Sequence, residues 1–176
     1  MTLRRASHLV ATPWRNGRGV TRDIATLCAR DGGLSWQASL AELTEDCDFS
    51  DYTGLHRVFT PVAGDFIALS HDGGPFVPCP LLMPHRFDGG AQTRCRLGGQ
   101  GGRAFNVITD PARHRADVQV LRLATGTPTP HGEVLYCCSG RLDTPEGTAG
   151  PGDSLLDAEA SAAEPSTVIL VRIGPA

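Results

Sequence analysis

The stretch Leu34-Ser-Trp-Gln-Ala-Ser-Leu40 alternates without a break, so that Leu34, Trp36, Ala38 and Leu40 share one face and the residues between them share the other. A period of two belongs to an extended strand, not to a helix. In both directions from it, short apolar runs recur at 55–62, 66–70, 105–109, 118–123, 134–138 and 168–173. Turn signals fall between them, among them Asp31-Gly32-Gly33, Ala63-Gly64-Asp65, Asp72-Gly73-Gly74 and Gly98-Gly99. Many short strands cut by Gly and Pro predict an all-β barrel or sandwich. The stretch Asp157–Glu164 has helical propensity but lies between two strands, and is expected to form a turn or one short helix. Helices of crossover length are missing, which excludes a parallel α/β architecture.

At 176 residues, 40% hydrophobic and 20% charged, the chain can bury one good core without disulfide or metal staples. The formal net charge is -3 and no block of like charges occurs, which argues against a nucleic-acid partner. All 16 Lys+Arg residues are arginine, as a GC-rich genome favours. The start, MTLRRASHLV, is basic but leads into no apolar stretch of signal length, and no run approaches the ~18 apolar residues of a membrane span. The expected compartment is the cytoplasm, with no membrane partner. Cysteines stand at 28, 47, 79, 95, 137 and 138 with no C-x-x-C pair, so reduced, buried thiols are expected.

Two halves are discernible within what reads as a single domain over residues 1–176. The first runs to about residue 110; residues 118–173 repeat a coarser pattern of strand, Gly-rich turn, strand, Gly-Asp turn and strand, with 111–117 as the connection. Val134–Leu142 followed by Gly150-Pro-Gly-Asp-Ser-Leu-Leu156 resembles the second half of a cupin, and Leu55–Leu69 the matching piece of a first half. The predicted fold is therefore an all-β double-stranded β-helix, cupin-like, in a bicupin-like arrangement of two small barrels.

Three blocks carry a more specific resemblance. The first is Trp14-Arg15-Asn16-Gly17-x-Gly19-x-Thr21-Arg22-Asp23-Ile24. The second is Trp36-x-Ala38-Ser39-x-Ala41, leading to Phe49-Ser50-x-Tyr52-x-Gly54-x-x-Arg57 and Gly64. The third is Pro84-x-x-Phe87-Asp88-Gly89, leading to Phe105-Asn106-Val107. In this order and spacing they resemble the HutD/Ves family of cupin-fold proteins associated with bacterial histidine utilisation. The resemblance implies ligands such as urocanate, formylglutamate or formate, and a sensor or governor role in that pathway. Three positions depart from the family pattern: Asp23 where Glu or Gln is common, Gln37 for a frequent Arg, and Ala104 where an Asp often precedes the Phe-Asn pair.

Arg57 opens an apolar strand, and an arginine inside a small barrel must be paired. It pairs with Asp23, Asp51 or Asp88, or it offers its fork to a ligand carboxylate; the family resemblance favours the ligand. Asn106, between apolar neighbours, carries both donor and acceptor and suits the polar head of a ligand, or else satisfies backbone. Asn16, Thr21 and Arg22 are expected at the pocket mouth with Trp14 as an apolar wall; a plain hairpin capped by Trp14, with Arg22 in a salt bridge, is the alternative.

The histidines at 8, 56, 71, 85, 114 and 131 contain no H-x-H pair, and His56 stands beside the cation of Arg57, so no metal or other cofactor is expected. No G-x-S-x-G elbow is present, and the Gly98–Gly102 turn lacks the Lys of a phosphate loop. These observations predict a metal-independent accessory or regulatory protein that binds a small carboxylate. One alternative is a metal-free hydrolase or isomerase using His56, His85, Asp23 or Asp88 as acid or base. Another is an interaction module with a vestigial pocket, homodimerising through Val168-Ile-Leu-Val171 as an apolar edge strand.

Overall fold

The structure is a computed structural model that describes residues 2–14, 17–99, 101–157 and 159–176. The first strand, β1 (Thr2–Arg4), is followed by a 3-10 turn at Ala6–His8. Ten strands then build one compact unit over Val10–His114. They are β2 (Ala11–Pro13), β3 (Gly19–Cys28), β4 (Leu34–Leu43), β5 (Cys47–Asp48), β6 (His56–Gly64), β7 (Ile67–His71), β8 (Val77–Pro78), β9 (His85–Asp88), β10 (Thr93–Leu97) and β11 (Gly102–Thr109). A second unit takes Arg115–Pro175 together with the N-terminal segment. Its strands are β12 (His114–Leu123), β13 (Val134–Ser139), β14 (Leu142–Thr144), β15 (Gly147–Ala149), β16 (Ser154–Leu156), β17 (Ser161–Ala162) and β18 (Ser166–Pro175).

In the first unit a six-stranded sheet runs β2-β3-β4-β11-β6-β9, beside a four-stranded sheet β5-β10-β7-β8. The six-stranded sheet is antiparallel at every step. Its bulges fall at Ile24 in β3, at Ser35 in β4 opposite Leu27/Cys28, and at Val62 in β6 opposite Arg103/Ala104. Bulges of this kind bend a strand and increase its twist, which lets a flat ladder curl into a wall. The core is apolar: Leu43, Phe59, Ile67, Leu69 and the thiols of Cys47, Cys79 and Cys95, with Trp14, Phe49 and Phe87 packed at its border.

In the second unit a five-stranded sheet runs β1-β16-β13-β18-β12, beside a three-stranded sheet β15-β14-β17. The N-terminal residues, read in the sequence with the first half, pair here: Leu3 opposes Leu155. Val168–Val171 is not an edge strand. It lies in β18, between β13 and β12, with each of its four side chains at most 1% exposed. An unbroken apolar run is what a strand covered on both faces requires, so the homodimer argued from an open edge here loses its basis. The described part of 157–164 forms no helix and contributes β17 instead.

All six cysteines are free thiols as expected, but only Cys47, Cys79, Cys95 and Cys137 are buried; Cys138 is half-buried and Cys28 is exposed. No helix among the described residues is long and apolar enough to cross a membrane.

Candidate functional site

The register of the six-stranded sheet stacks polar side chains in rows across one face. Asp23 on β3 opposes Ser39 on β4, which opposes Asn106 on β11, which opposes Phe59 on β6. In the neighbouring row Gln37 opposes Ile108, which opposes Arg57, which opposes Phe87 on β9. Side chains alternate along each strand, so these residues share one face, and Asp23, Gln37, Ser39, Arg57, Asn106 and Ile108 line a cavity of about 240 Å³ with Trp14, Thr21 and Tyr52.

Arg57 is 7% exposed and lies on the cavity floor. Its Nε and Nη2 both donate to Oδ1 of Asn106, at 3.2 and 2.9 Å. Its guanidinium carbon sits 4.4 Å from the centre of the Phe49 ring, 5.6 Å from that of Phe87 and 5.8 Å from that of Tyr52. Burial pulls Arg57 down to about 10, against which nearby Tyr52, Cys47 and Cys95 act weakly, so it stays charged at neutral pH. None of its three expected carboxylate partners reaches it. Asp23 accepts from Gln37 Nε2 at 2.9 Å, Asp51 from the backbone and hydroxyl of Thr53, and Asp88 from the backbone of Gly90. Among the described residues Arg57 therefore carries a buried positive charge with no ion pair, and its Nη1 makes no hydrogen bond.

Asn106 is 2% exposed, and its Nδ2 donates to the Ala104 carbonyl at 3.3 Å. Its Oδ1 accepts both bonds from Arg57, so it holds the guanidinium in place. By occupying the Nε side of the fork it leaves the Nη1/Nη2 edge for a bidentate anion.

At the mouth, β2 and β3 form the hairpin expected from Asn16-Gly17, with the Trp14 amide donating to the Gly19 carbonyl at 2.9 Å. Gly19 is needed there: a Cβ would stand 2.9 Å from the Trp14 ring and 2.7 Å from the Glu42 carbonyl. The Trp14 indole donates to Thr21 Oγ1 at 2.7 Å and meets Phe49 edge to face. Asn16 lies outside the described residues. Arg22 points to the opposite face of β3, where it pairs with Glu42, so it does not close the pocket. The reason is the two-residue period: Thr21 and Asp23 face inward, and Arg22 between them cannot.

Asp23, Gln37, Ser39 and Tyr52 complete the site. From the sequence Asp23 is expected as an ion-pair partner of Arg57 or as an acid or base, and Gln37 as a departure from the family pattern. Gln37 and Ser39 were legible as the polar face of β4, but the apolar face drew the reading. Both faces of that strand are covered, since Ala38 and Leu40 are as buried as Ser35 and Ser39. Partial desolvation raises the Asp23 carboxyl above the usual carboxylate range.

A second polar feature lies outside the cavity. His71 Nδ1 is 2.9 Å from Thr93 Oγ1, and His71 Nε2 is 3.0 Å from His85 Nε2. Thr93 donates onward to the Ala91 carbonyl, so the network assigns a donating Nδ1–H to His71 and a donating Nε2–H to His85. No group of three or more His, Cys, Asp or Glu among the described residues is placed to hold a metal ion.

Comparison with known proteins places this arrangement in a lineage. A family model described as HutD matches residues 6–170. The chain belongs to the HutD family. A relative from Pseudomonas putida, an uncharacterised 21.2 kDa protein in the hutC 3' region, is 36% identical over 121 residues, which are 68% of this chain and 63% of that protein. The match thus spans under two thirds of that relative's length. The structure of HutD from Pseudomonas fluorescens SBW25, in a formate condition, superposes with a TM-score of 0.82 at 24% identity over 98% of both chains. A cupin 2 conserved barrel domain protein from Leptotrichia buccalis superposes with a TM-score of 0.65 at 8% identity, over 98% of this chain and 96% of that one. The HutD-family chain thus has the cupin fold expected from its strand pattern.

Proposed function

We propose that this HutD-family protein is a metal-independent receptor for a small carboxylate, with an accessory or regulatory role in histidine and urocanate catabolism. The observation that carries the reading is Arg57: a buried cation at the floor of a cavity, held by Asn106, with no carboxylate of the described chain beside it. A buried charge left uncompensated costs several kcal/mol, on the order of 3–5 where a partner has been removed. An anionic ligand that docks on the free Nη1/Nη2 edge removes that cost and gains two charge-assisted bonds. The pathway assignment rests on the hutC-region relative and on the family itself.

The test is thermal unfolding of the wild type and of Arg57→Ala with urocanate, formylglutamate, formate and histidine, each with and without chelator. A ligand at ~100 times its Kd stabilises the native state by about 2.7 kcal/mol. For a chain of this size that is a midpoint shift on the order of 5–10 °C. The expected result is a shift from at least one carboxylate, indifferent to chelator and absent in Arg57→Ala. No shift with any of the four sinks the receptor reading; a shift that chelator abolishes sinks its metal independence.

A further inference from the structure

Two of the buried thiols face each other. Cys47 on β5 and Cys95 on β10 are register partners in the four-stranded sheet, so their side chains leave the same face and enter one core. They are 4% and 3% exposed. Two residues along the same ladder, the Phe49 amide donates to the Thr93 carbonyl at 2.9 Å. The alternation of an antiparallel ladder then makes Cys47 and Cys95 a hydrogen-bonded pair, with Cα atoms about 5.5 Å apart. A disulfide spans roughly 4.4–6.8 Å between Cα atoms. From this juxtaposition we propose that Cys47 and Cys95 are a modification site, which a peroxide converts to a reversible cross-strand disulfide that moves the cavity wall at Phe49. The site is complete without any ligand on Arg57.

Cys79 packs in the same core but follows β8, and β7 lies between β8 and β10. Two strand spacings of ~4.8 Å put it roughly 10 Å from Cys95, beyond the reach of a bridge without backbone movement. Cys28 is exposed at the end of β3. Cys47 is the sulfur to react first. The Cys95 thiol donates to it and pulls it below the ordinary value for a thiol; Arg18 adds to this, while burial, Asp48 and Asp46 oppose. The same bond, with burial, holds Cys95 above that value. β5 is a two-residue edge strand, so only a short ladder has to open to admit a molecule as small as hydrogen peroxide.

The Cys47 thiolate attacks one peroxide oxygen. The O–O bond breaks, hydroxide leaves and takes up the Cys47 proton, and the sulfur becomes a sulfenic acid. The Cys95 sulfur attacks that sulfur; the S–S bond forms, the S–O bond breaks, and the departing hydroxide leaves with the Cys95 proton as water. Two thiols and one peroxide thus give one disulfide and two waters. A dithiol reverses the step by exchange.

Closing the bridge has a mechanical consequence. Facing Cβ atoms of a hydrogen-bonded pair stand about 5.5 Å apart, whereas a disulfide holds them at about 3.8 Å. β5 is therefore drawn towards β10 by roughly 1–2 Å, and a bridge strained in this way is the more easily reduced. Phe49 follows Cys47 on the same face. The centre of its ring lies 4.4 Å from the Arg57 guanidinium carbon and 6.4 Å from that of the Trp14 ring, so both meet the movement.

The experiment uses Cys28→Ser/Trp36→Phe, in which the exposed thiol is gone and Trp14 is the one emitting indole. The protein is treated with hydrogen peroxide, its remaining thiols are alkylated after denaturation, and its peptides are mapped without reduction. The expected product is a linked peptide joining Cys47 to Cys95 that dithiothreitol removes, with Cys79 and Cys137 still alkylated. Trp14 emission is expected to shift on oxidation, to return on reduction, and to stay constant when Cys47→Ala is added. With Cys95→Ala added, the reaction stops at the sulfenic acid, which dimedone traps at Cys47. Cys47 and Cys95 that both stay reduced under peroxide sufficient to oxidise Cys28 of the wild type overturn the site, and that measurement needs no variant to fold. A bridge from Cys95 to Cys79 overturns the pairing. Equal dimedone trapping at Cys95 in Cys47→Ala overturns the order of attack. A Cys47–Cys95 bridge with unchanged Trp14 emission overturns the movement of the wall.

Discussion

Both Nε and Nη2 of Arg57 converge on one atom, Oδ1 of Asn106, at 3.2 and 2.9 Å. A neutral amide fixes the direction of the guanidinium without cancelling its charge. An aspartate at 106 would fix it equally well and supply the missing anion. The charge of Arg57 is therefore not cancelled by the partner that holds it, and the choice of amide over carboxylate can be tested.

Asn106→Asp is expected to stabilise the ligand-free protein and to lower its affinity for carboxylates by about tenfold or more, because the counter-charge is then internal. At an effective dielectric near 20 the pair attracts by about 4 kcal/mol, of which desolvation of the new carboxylate cancels a large part. A melting curve and a calorimetric titration of the same sample decide the matter. A less stable protein with unchanged affinity would refute the account of Asn106.

Replacing the charge altogether separates binding from stability. In Arg57→Met/Asn106→Leu the cation and its amide partner are exchanged for apolar groups of similar size, a change that is often neutral or stabilising by ~1–4 kcal/mol. The expected double variant melts at or above the wild-type midpoint and shows no thermal shift with any carboxylate. A large loss of ligand-free stability would mean that Arg57 holds the fold together.

Trp14 reports on the cavity and Trp36 does not, since Trp36 is on the opposite face of β4 from Gln37 and Ser39. Carboxylate binding is expected to change intrinsic fluorescence in wild type and Trp36→Phe but not in Trp14→Phe. Thr21→Val, which deprives the indole of its acceptor, should cost about 1 kcal/mol, a midpoint loss of roughly 2–4 °C.

The histidine pair makes stability depend on pH. Burial lowers His71, with the facing His85 adding to it, while Asp72 opposes; burial also lowers His85. The folded state thus holds both rings neutral below the ordinary value of 6.5, where the unfolded chain takes up protons. Stability is complete above about pH 6.5 and declines as the pH falls from there towards the folded values. His71→Gln/His85→Gln should flatten that part of the curve of melting midpoint against pH. An unchanged slope would exclude the pair as its source.

The strand grain was legible in the sequence because it is local. Alternation at 34–40 and the turns at 31–33 and 72–74 do not depend on what the chain packs against, and they gave the all-β class and most of the long strands. The short strands β5, β8, β9 and β10 left no such trace, since two to five residues carry too little period to stand out. Arg57 and Asn106 were picked from their chemistry, a charge and an amide set among apolar neighbours.

Which residues meet was another matter. The antiparallel register across three strands brings Asp23, Ser39 and Asn106 into one row, although they are far apart in sequence. The same register turns Arg22 away to Glu42. That Arg57 lacks a carboxylate could be settled only by seeing where Asp23, Asp51 and Asp88 spend their oxygens. By itself the sequence determined the kind of elements and the kinds of groups available, because propensity and periodicity act over a few residues. Only the tertiary structure decided that the buried Arg57 cation, held by Asn106 and not by a carboxylate, lines one cavity with Asp23, Gln37 and Ser39, because strand register and burial are properties of the folded whole.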